Sequence, residues 1–335
     1  MREFNAMTEI HAVDTFAINN FSDFDKIYLS EGEYKDVLFG FSASFFYEGG
    51  STKAGRIRGN KLLSRYRDLF PKEVNHFHPF GARHRRKIDK IDPIDYYNKS
   101  TDKISDAETY GAGLYGFNAE YHVNGATPYT IGNVGSSKFD RWSYVDAYFR
   151  ASWVEAQGYE FLLKTLLSWC DILKPSHGTF GVSVLFDTGG FTSRQCALAF
   201  PVFTRFPGMD VPRLGTWTIE VGEEADKRWI RTINWLTILD DAFVEELGGL
   251  SHVEAELGKD CPIHKWNGGI IIQAGAEPQL GDVNRGDVPE AYRKVARLTK
   301  PIRFDNFVPS TISIIEAPKP FDHHEETVKW FHRFD

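Results

Sequence analysis

Chemistry in this chain would have to come from a small number of polar constellations. Gly111, Gly113 and Gly116 in GAGLYG match the spacing G-x-G-x-x-G, in which glycines let a pyrophosphate approach the backbone at the start of a helix. That chemistry needs a buried strand before the motif and a helix after it. The polar DKISDAET precedes it and FNAEYHVNG follows, so the segment reads as a glycine-rich loop. The run Asp282-Val283-Asn284-Arg285-Gly286-Asp287 resembles the start of a calcium loop, but Gly286 takes the fifth place and Arg293 the twelfth, where ligands are required. It reads as a turn before a helix.

Two histidine pairs, His76 with His78 and His323 with His324, lack an accompanying cysteine and a second histidine at H-E-x-x-H spacing. Asp23, Asp25 and the triplet Glu33-Tyr34-Lys35 have the residue types of a magnesium nuclease, but the combination is common in charged loops. Nucleophile-elbow and phosphate-loop patterns do not occur. Cys170, Cys196 and Cys261 are far apart and odd in number, a pattern of buried thiols in a reducing compartment. The basic run Ala82 to Lys90 is interrupted by Asp89 and followed by Asp92, and reads as a solvated loop.

The elements that must position such residues follow from periodicity. VLFGFSASFFYEGG, from Val37, has strand composition and ends at a glycine turn. A helix follows from an N-cap at Thr52 to a stop at Pro71. Asn75 to Gly135 reads as long loops with short strands. WSYVDAYFRASW alternates, with Trp142, Tyr144 and Tyr148 on one side of a strand. YEFLLKTLLSWCDILKP carries the apolar stripe of a helix ending at Pro175. GVSVLF is a strand, and SRQCALAFPVFTRFPG is a helix running into an irregular corner. WTIEVGEEADKRWIRTINWLTIL reads as a charged hairpin with Glu223, Glu224 and Asp226 at its turn. Asp240 opens a short helix that closes on Gly248-Gly249, GGIIIQAG is a buried strand, and Asp287-x-x-Glu290 has the spacing of a capping box for a last helix.

Strands and helices mix without regular βαβ alternation. The expected class is α+β, with mainly antiparallel sheets and packed helices, and with two similar α/β halves conceivable in one compact unit. Residues 1–36 read as an N-terminal extension and 37–335 as a single domain, its halves dividing near 175.

The 335 residues, 42% hydrophobic and 25% charged, suffice for a large core. A formal net charge of −7 disfavours a general nucleic-acid binder and suits a basic partner. The N-terminus is charged where a signal peptide would be apolar, and no apolar run could span a bilayer, so the cytoplasm is expected and no membrane.

RFPGMDV (Arg205 to Val211), INWLTILDD (Ile233 to Asp241), LGGL (Leu247 to Leu250), GGIIIQAGAEPQLGDVN (Gly268 to Asn284) and AYRKVARLTKPIR (Ala291 to Arg303) occur in an order that resembles a family of type VI secretion immunity proteins. Its members are encoded beside toxins of the virus-type replication-repair nuclease fold (VRR-Nuc). SWVEAQG, LKPSHGTFG and VLFGFSASFFYEGG extend the resemblance, which is faint over Asn75 to Gly135.

The resemblance implies a non-enzymatic inhibitor, without cofactor or metal, that binds a cognate nuclease effector and denies it DNA. It implies that Asn234, Trp235, Gln273, Pro278, Gly281 and Asp282 hold the fold. Charge alone nominates Glu223, Glu224, Asp226, Asp240, Asp241, Glu245 and Glu246 as partner contacts. The alternatives are a metal-dependent hydrolase using Asp, Glu and His ligands, or an adaptor in the same secretion pathway. An enzyme predicts converging carboxylates or histidines with perturbed pKa values, whereas an inhibitor predicts a broad acidic surface with exposed rings.

Overall fold

The computed structural model describes residues 18, 20–136, 142–187, 192–212, 214–222, 227–307, 312 and 319–335. In chain order the elements are β1 (Tyr28–Leu29), β2 (Val37–Tyr47), α1 (Lys53–Leu69), β3 (His76–Phe77), β4 (Arg86–Lys87), α2 (Pro93–Thr101), β5 (Tyr110–Tyr115), β6 (Thr130–Gly135), β7 (Ser143–Phe149), α3 (Ala151–Gln157) and α4 (Tyr159–Leu173). They continue with β8 (His177–Phe186), α5 (Thr192–Arg205), α6 (Leu214–Gly222), β9 (Leu236–Asp240), α7 (Asp241–Glu246), α8 (Leu250–Leu257), β10 (Ile263–Trp266), β11 (Gly269–Gln273), α9 (Glu290–Thr299) and α10 (His323–Phe331).

All eleven strands join one antiparallel sheet in the order β10-β11-β9-β8-β2-β7-β6-β5-β3-β4, with β1 paired to β2. The mixed α+β class is therefore realised around a single sheet. Its centre is the pair β2 and β8, in register from Val37 opposite Phe186 to Phe46 opposite His177. Every residue of both strands is buried.

The period-two pattern of β2 explains its two covers. Phe41 and Phe45 point to one face: Phe45 meets Trp169 of α4, and Phe41 meets Phe180. Tyr66 of α1 joins the same layer through Phe149 and Trp169. Ser42, Ser44 and Phe46 point to the other face, where Phe46 packs against Trp217 of α6 and against His177, which in turn meets Phe243 of α7. The helices α1 and α4 thus cover one face, and α6 and α7 lie on the opposite one.

Local chemistry sets the helix ends. Thr52 Oγ1 accepts the Gly55 N–H at 3.1 Å, and α4 ends with Lys174 in the left-handed region before Pro175. Gly59 lets α1 approach β6, since a Cβ there would stand 2.1 Å from Asn133 Nδ2. The aromatic tail docks on the core: Trp330, Phe331 and Phe334 are buried, and Arg303 is bonded to Asp335 at 2.6 and 2.8 Å. All three cysteines are buried.

Four expectations fail. GAGLYG is strand β5 and not a loop, because Ala112 and Leu114 bury one face while its backbone pairs with β6. The polar stretch after Asn75 holds α2, started by Asp92, whose carboxylate accepts the Ile94 and Asp95 N–H groups ahead of Pro93. WTIEV lies in α6 and is not the first strand of a hairpin; Trp217 anchors it against Phe46, and packing overrides β propensity. The Asp287 capping box does not form, because the Asp287 backbone pairs with Asp282, Pro289 is the N-cap of α9, and Glu290 turns to Arg297 at 2.8 Å.

Candidate functional site

Two surfaces stand out. The first is a cleft of about 420 Å³ over β5, β6 and β7, on the face that α6 covers only in part. Gly113 pairs with Gly132, Gly132 with Asp146, and Asp146 with Ser44, so one row across four strands consists of two glycines, a carboxylate and a hydroxyl. A Cβ built at Gly111 or Gly132 would meet nothing within 4 Å, and the missing side chains leave the hollow. Tyr115, Tyr144 and Tyr148 wall it together with Phe186, Asp187 and the first turn of α6.

Asp146 sits half-buried on the floor. Ser44 Oγ donates to its Oδ1 at 3.3 Å, the Tyr148 hydroxyl lies beside it, and it has no ion pair among the described residues. Burial pushes its carboxyl up to about 7; Arg231 opposes the shift and the carboxylate of Asp210 adds to it. Burial, helped by Asp146, also pushes Tyr144 up to about 12 and Tyr148 well above the usual phenol range. Behind the floor, Arg231 and Asp210 form an ion pair with both side chains 1% exposed, joined by Thr179 Oγ1 and the Val211 N–H. At the rim, Arg85 of the basic run pairs with Asp187 at 3.3 Å and lies over the Tyr115 ring.

The second surface is the outer side of α7 and α8. From Asp240 to Leu257 the chain has the acids Asp240, Asp241, Glu245, Glu246, Glu254 and Glu256 and neither lysine nor arginine. All but Asp240 are exposed and form no ion pair among the described residues. Asp240 is committed to structure: it caps α7 through the Phe243 N–H at 3.0 Å and pairs with Arg228. Glu223, Glu224 and Asp226 lie outside the described residues. The large exposed rings Tyr28, Phe80 and Phe161 are elsewhere, so this surface is acidic without interleaved aromatics.

The remaining sequence candidates do not converge. His76 is bonded to Asn75 and its pKa is lowered by burial and by Lys87 and Arg85; His78 lines the cleft; His323 and His324 open α10. Asp25 pairs with Arg150, and Lys35 with Glu120. Among the described residues no three His, Cys, Asp or Glu side chains are grouped to hold a metal ion.

The stretches that carried the resemblance meet one another at a corner of the fold. Arg205 grips Asp282 through two bonds of 2.9 and 3.2 Å, and the Gly208 N–H donates to the Leu280 carbonyl. Asn234 packs against Gly181 and bonds Val182, while Trp235 Nε1 donates to the Gly275 carbonyl. Gln273 Nε2 reaches the carbonyls of Gly275 and Ala276, Pro278 is buried, and Gly281 has φ +66°.

The model of the TsiV family, described as type VI immunity for VRR-NUC, matches residues 61–334. The chain belongs to this family. The TsiV match includes β5, β6 and β7 as well as α7 and α8, so both surfaces lie within the family region. A Pseudomonas aeruginosa type VI secretion protein, PA0821, is similar in structure with a TM-score of 0.76 at 17% identity, covering 91% of this chain and 84% of that one. At that identity the likeness shows a shared fold. No curated protein sequence matches the chain.

The sequence reading missed Asp146 and the glycine floor. The signal was present as a period of two: Tyr144, Asp146 and Tyr148 alternate on β7, and Gly111, Gly113 and Tyr115 alternate on β5.

Proposed function

We propose that this chain binds a cognate VRR-Nuc-type effector in the cytoplasm and neutralises it without catalysis, by covering the basic surface on which the nuclease holds DNA. The observation that carries the proposal is the TsiV match over residues 61–334. The exposed acids of α7 and α8 supply the complementary charge, with Asp241, Glu245 and Glu246 as the first contacts and Glu223, Glu224 and Asp226 as further ones. No helix among the described residues is long and apolar enough to cross a membrane. Metal-dependent hydrolysis, the other class left open by the sequence, gains no support from the placement of its candidate ligands.

Co-expression with the neighbouring effector tests the proposal. It should restore growth, and the purified pair should bind with nanomolar affinity. The triple charge reversal Asp241→Lys, Glu245→Lys and Glu246→Lys should slow association about tenfold or more at low salt and less at high salt. No rescue and no binding by the wild-type chain would refute the inhibitor reading.

A further inference from the structure

We propose that the cleft over β5, β6 and β7 is a receptor for one cationic side chain, an arginine or lysine presented by the effector. The inference deepens the function proposed above and rests on it.

Among the described residues, glycines leave part of the floor of the cleft without side chains. Gly111 and Gly132 face open space where strand residues ordinarily carry side chains, and glycine in a strand interior weakens the strand. Its volume of about 420 Å³ lies at the small end of ligand pockets, and its mouth is open.

The chemistry of the floor selects the occupant. Among the described residues Asp146 is hydrogen-bonded to hydroxyls, Ser44 Oγ and Tyr148, and forms no ion pair, although the Arg231 charge acts on it from behind the floor. Among the described residues the nearby cations Arg85 and Arg231 pair with Asp187 and Asp210. A half-buried carboxylate bonded only to hydroxyls is costly to the fold, and an incoming ammonium or guanidinium supplies a direct ion pair. Tyr144 lines the cleft beside the carboxylate and supplies aromatic surface for the aliphatic stem, while the Tyr115 ring already lies under Arg85.

The cleft also has the right position. Through Phe46, His177 and Phe243 the helix α7 lies on the same face of the sheet as the cleft. From β7 to β9 is three strand spacings, roughly 15 Å, a span that one interface of standard size covers. The acidic helices steer a basic partner, and the cleft fixes one of its side chains.

Two arms test this. In the first, the effector is titrated calorimetrically into the wild-type chain, Asp146→Asn, Gly132→Val and the α7 triple variant. Gly132→Val reaches into the hollow from a position where a Cβ meets no atom within 4 Å, and its thermal unfolding checks that the fold is kept. The Asn and Val variants should each weaken binding on the order of 30-fold or more while retaining cooperative thermal unfolding. Wild-type affinity in both would overturn the cleft and leave the immunity reading standing.

In the second arm, N-ethylguanidinium chloride or sodium propionate is added to the free chain, and the Asp146 carboxyl and the ring signals of Tyr115 and Tyr144 are followed by NMR. Saturable shifts with the guanidinium, abolished in Gly132→Val, support the cation site. No saturation, or saturation by propionate, overturns it. If the effector fails to bind the wild-type chain, the immunity reading falls and this arm alone decides the cleft.

Discussion

Replacing Asp146 by asparagine should make the protein more stable, and increasingly so as the pH rises. The carboxyl has its ordinary value of 3.8 in the unfolded chain and about 7 in the folded one. Between those values the native state holds a proton that the unfolded state releases, so stability falls as pH rises through the window, and the loss is complete above it. Three units at about 1.36 kcal/mol each set a ceiling on the order of 4 kcal/mol, a large share of the roughly 5–15 kcal/mol that holds a domain together. Asparagine keeps an acceptor for Ser44 Oγ and the Tyr148 hydroxyl and removes the charge. Asp210, Arg231, Tyr144, Tyr148 and Asp187 lie around the site in both proteins, so the difference between them isolates the Asp146 carboxyl. Urea unfolding at pH 5 and pH 8 reads the effect: the advantage of Asp146→Asn should grow by up to about 2.7 kcal/mol across the two units of the window between them. A constant difference across pH, or a destabilised variant at pH 8, would show that the fold supports the charged carboxylate, and the reasoning would fail.

Asp210→Asn leaves the Arg231 guanidinium buried without its countercharge and should cost about 3–5 kcal/mol, whereas Asp210→Leu with Arg231→Met should recover at least half of that in chemical unfolding. His177 is sealed among Phe46, Trp142 and Trp217 with both ring nitrogens unpartnered, and burial holds its pKa well below the usual range. The unfolded chain therefore takes up a proton below pH 6.5 that the native state refuses, and stability is lost as pH falls through that value. His177→Phe should remove a slope of about 1.4 kcal/mol per pH unit between pH 6.5 and 5, measured against the wild type by thermal unfolding. Gly281→Ala places a Cβ 2.7 Å from the Asp287 carbonyl oxygen at a residue with φ +66°, and should lower stability by roughly 1–3 kcal/mol. Wild-type stability in that variant would mean that the loop holding Asp282 is free to shift.

The elements legible in the sequence are those whose local signals and tertiary roles agree. β2 is rich in aromatic residues and is central; α1 and α4 have caps or stops at Thr52 and Pro175 and bury the stripes they advertise; Asp240 both opens and caps α7. The failures are conflicts between the two levels. The residues of α6 favour strands, but Trp217 is needed over Phe46 and His177. The helix α2 has a weak apolar face and declares itself only at Asp92-Pro93. A strand with glycine at alternate positions looks like a loop until its buried face, Ala112 and Leu114, is counted on its own.

That last conflict bears on function. Sequences fold well when local preference and global fold agree, and departures concentrate where something other than stability is being satisfied. The stretches that resemble the family tie Arg205 to Asp282 and Trp235 to Gly275, and there local and global signals agree. Three departures meet in one hollow: glycines inside β5 and β6, and on β7 a carboxylate with no ion pair among the described residues. Each weakens the fold, and all of them face the same space. Unlike the isolated cost at His177, these share one space, and their convergence is the reason to look for an occupant of the cleft as well as for a partner of the acidic helices.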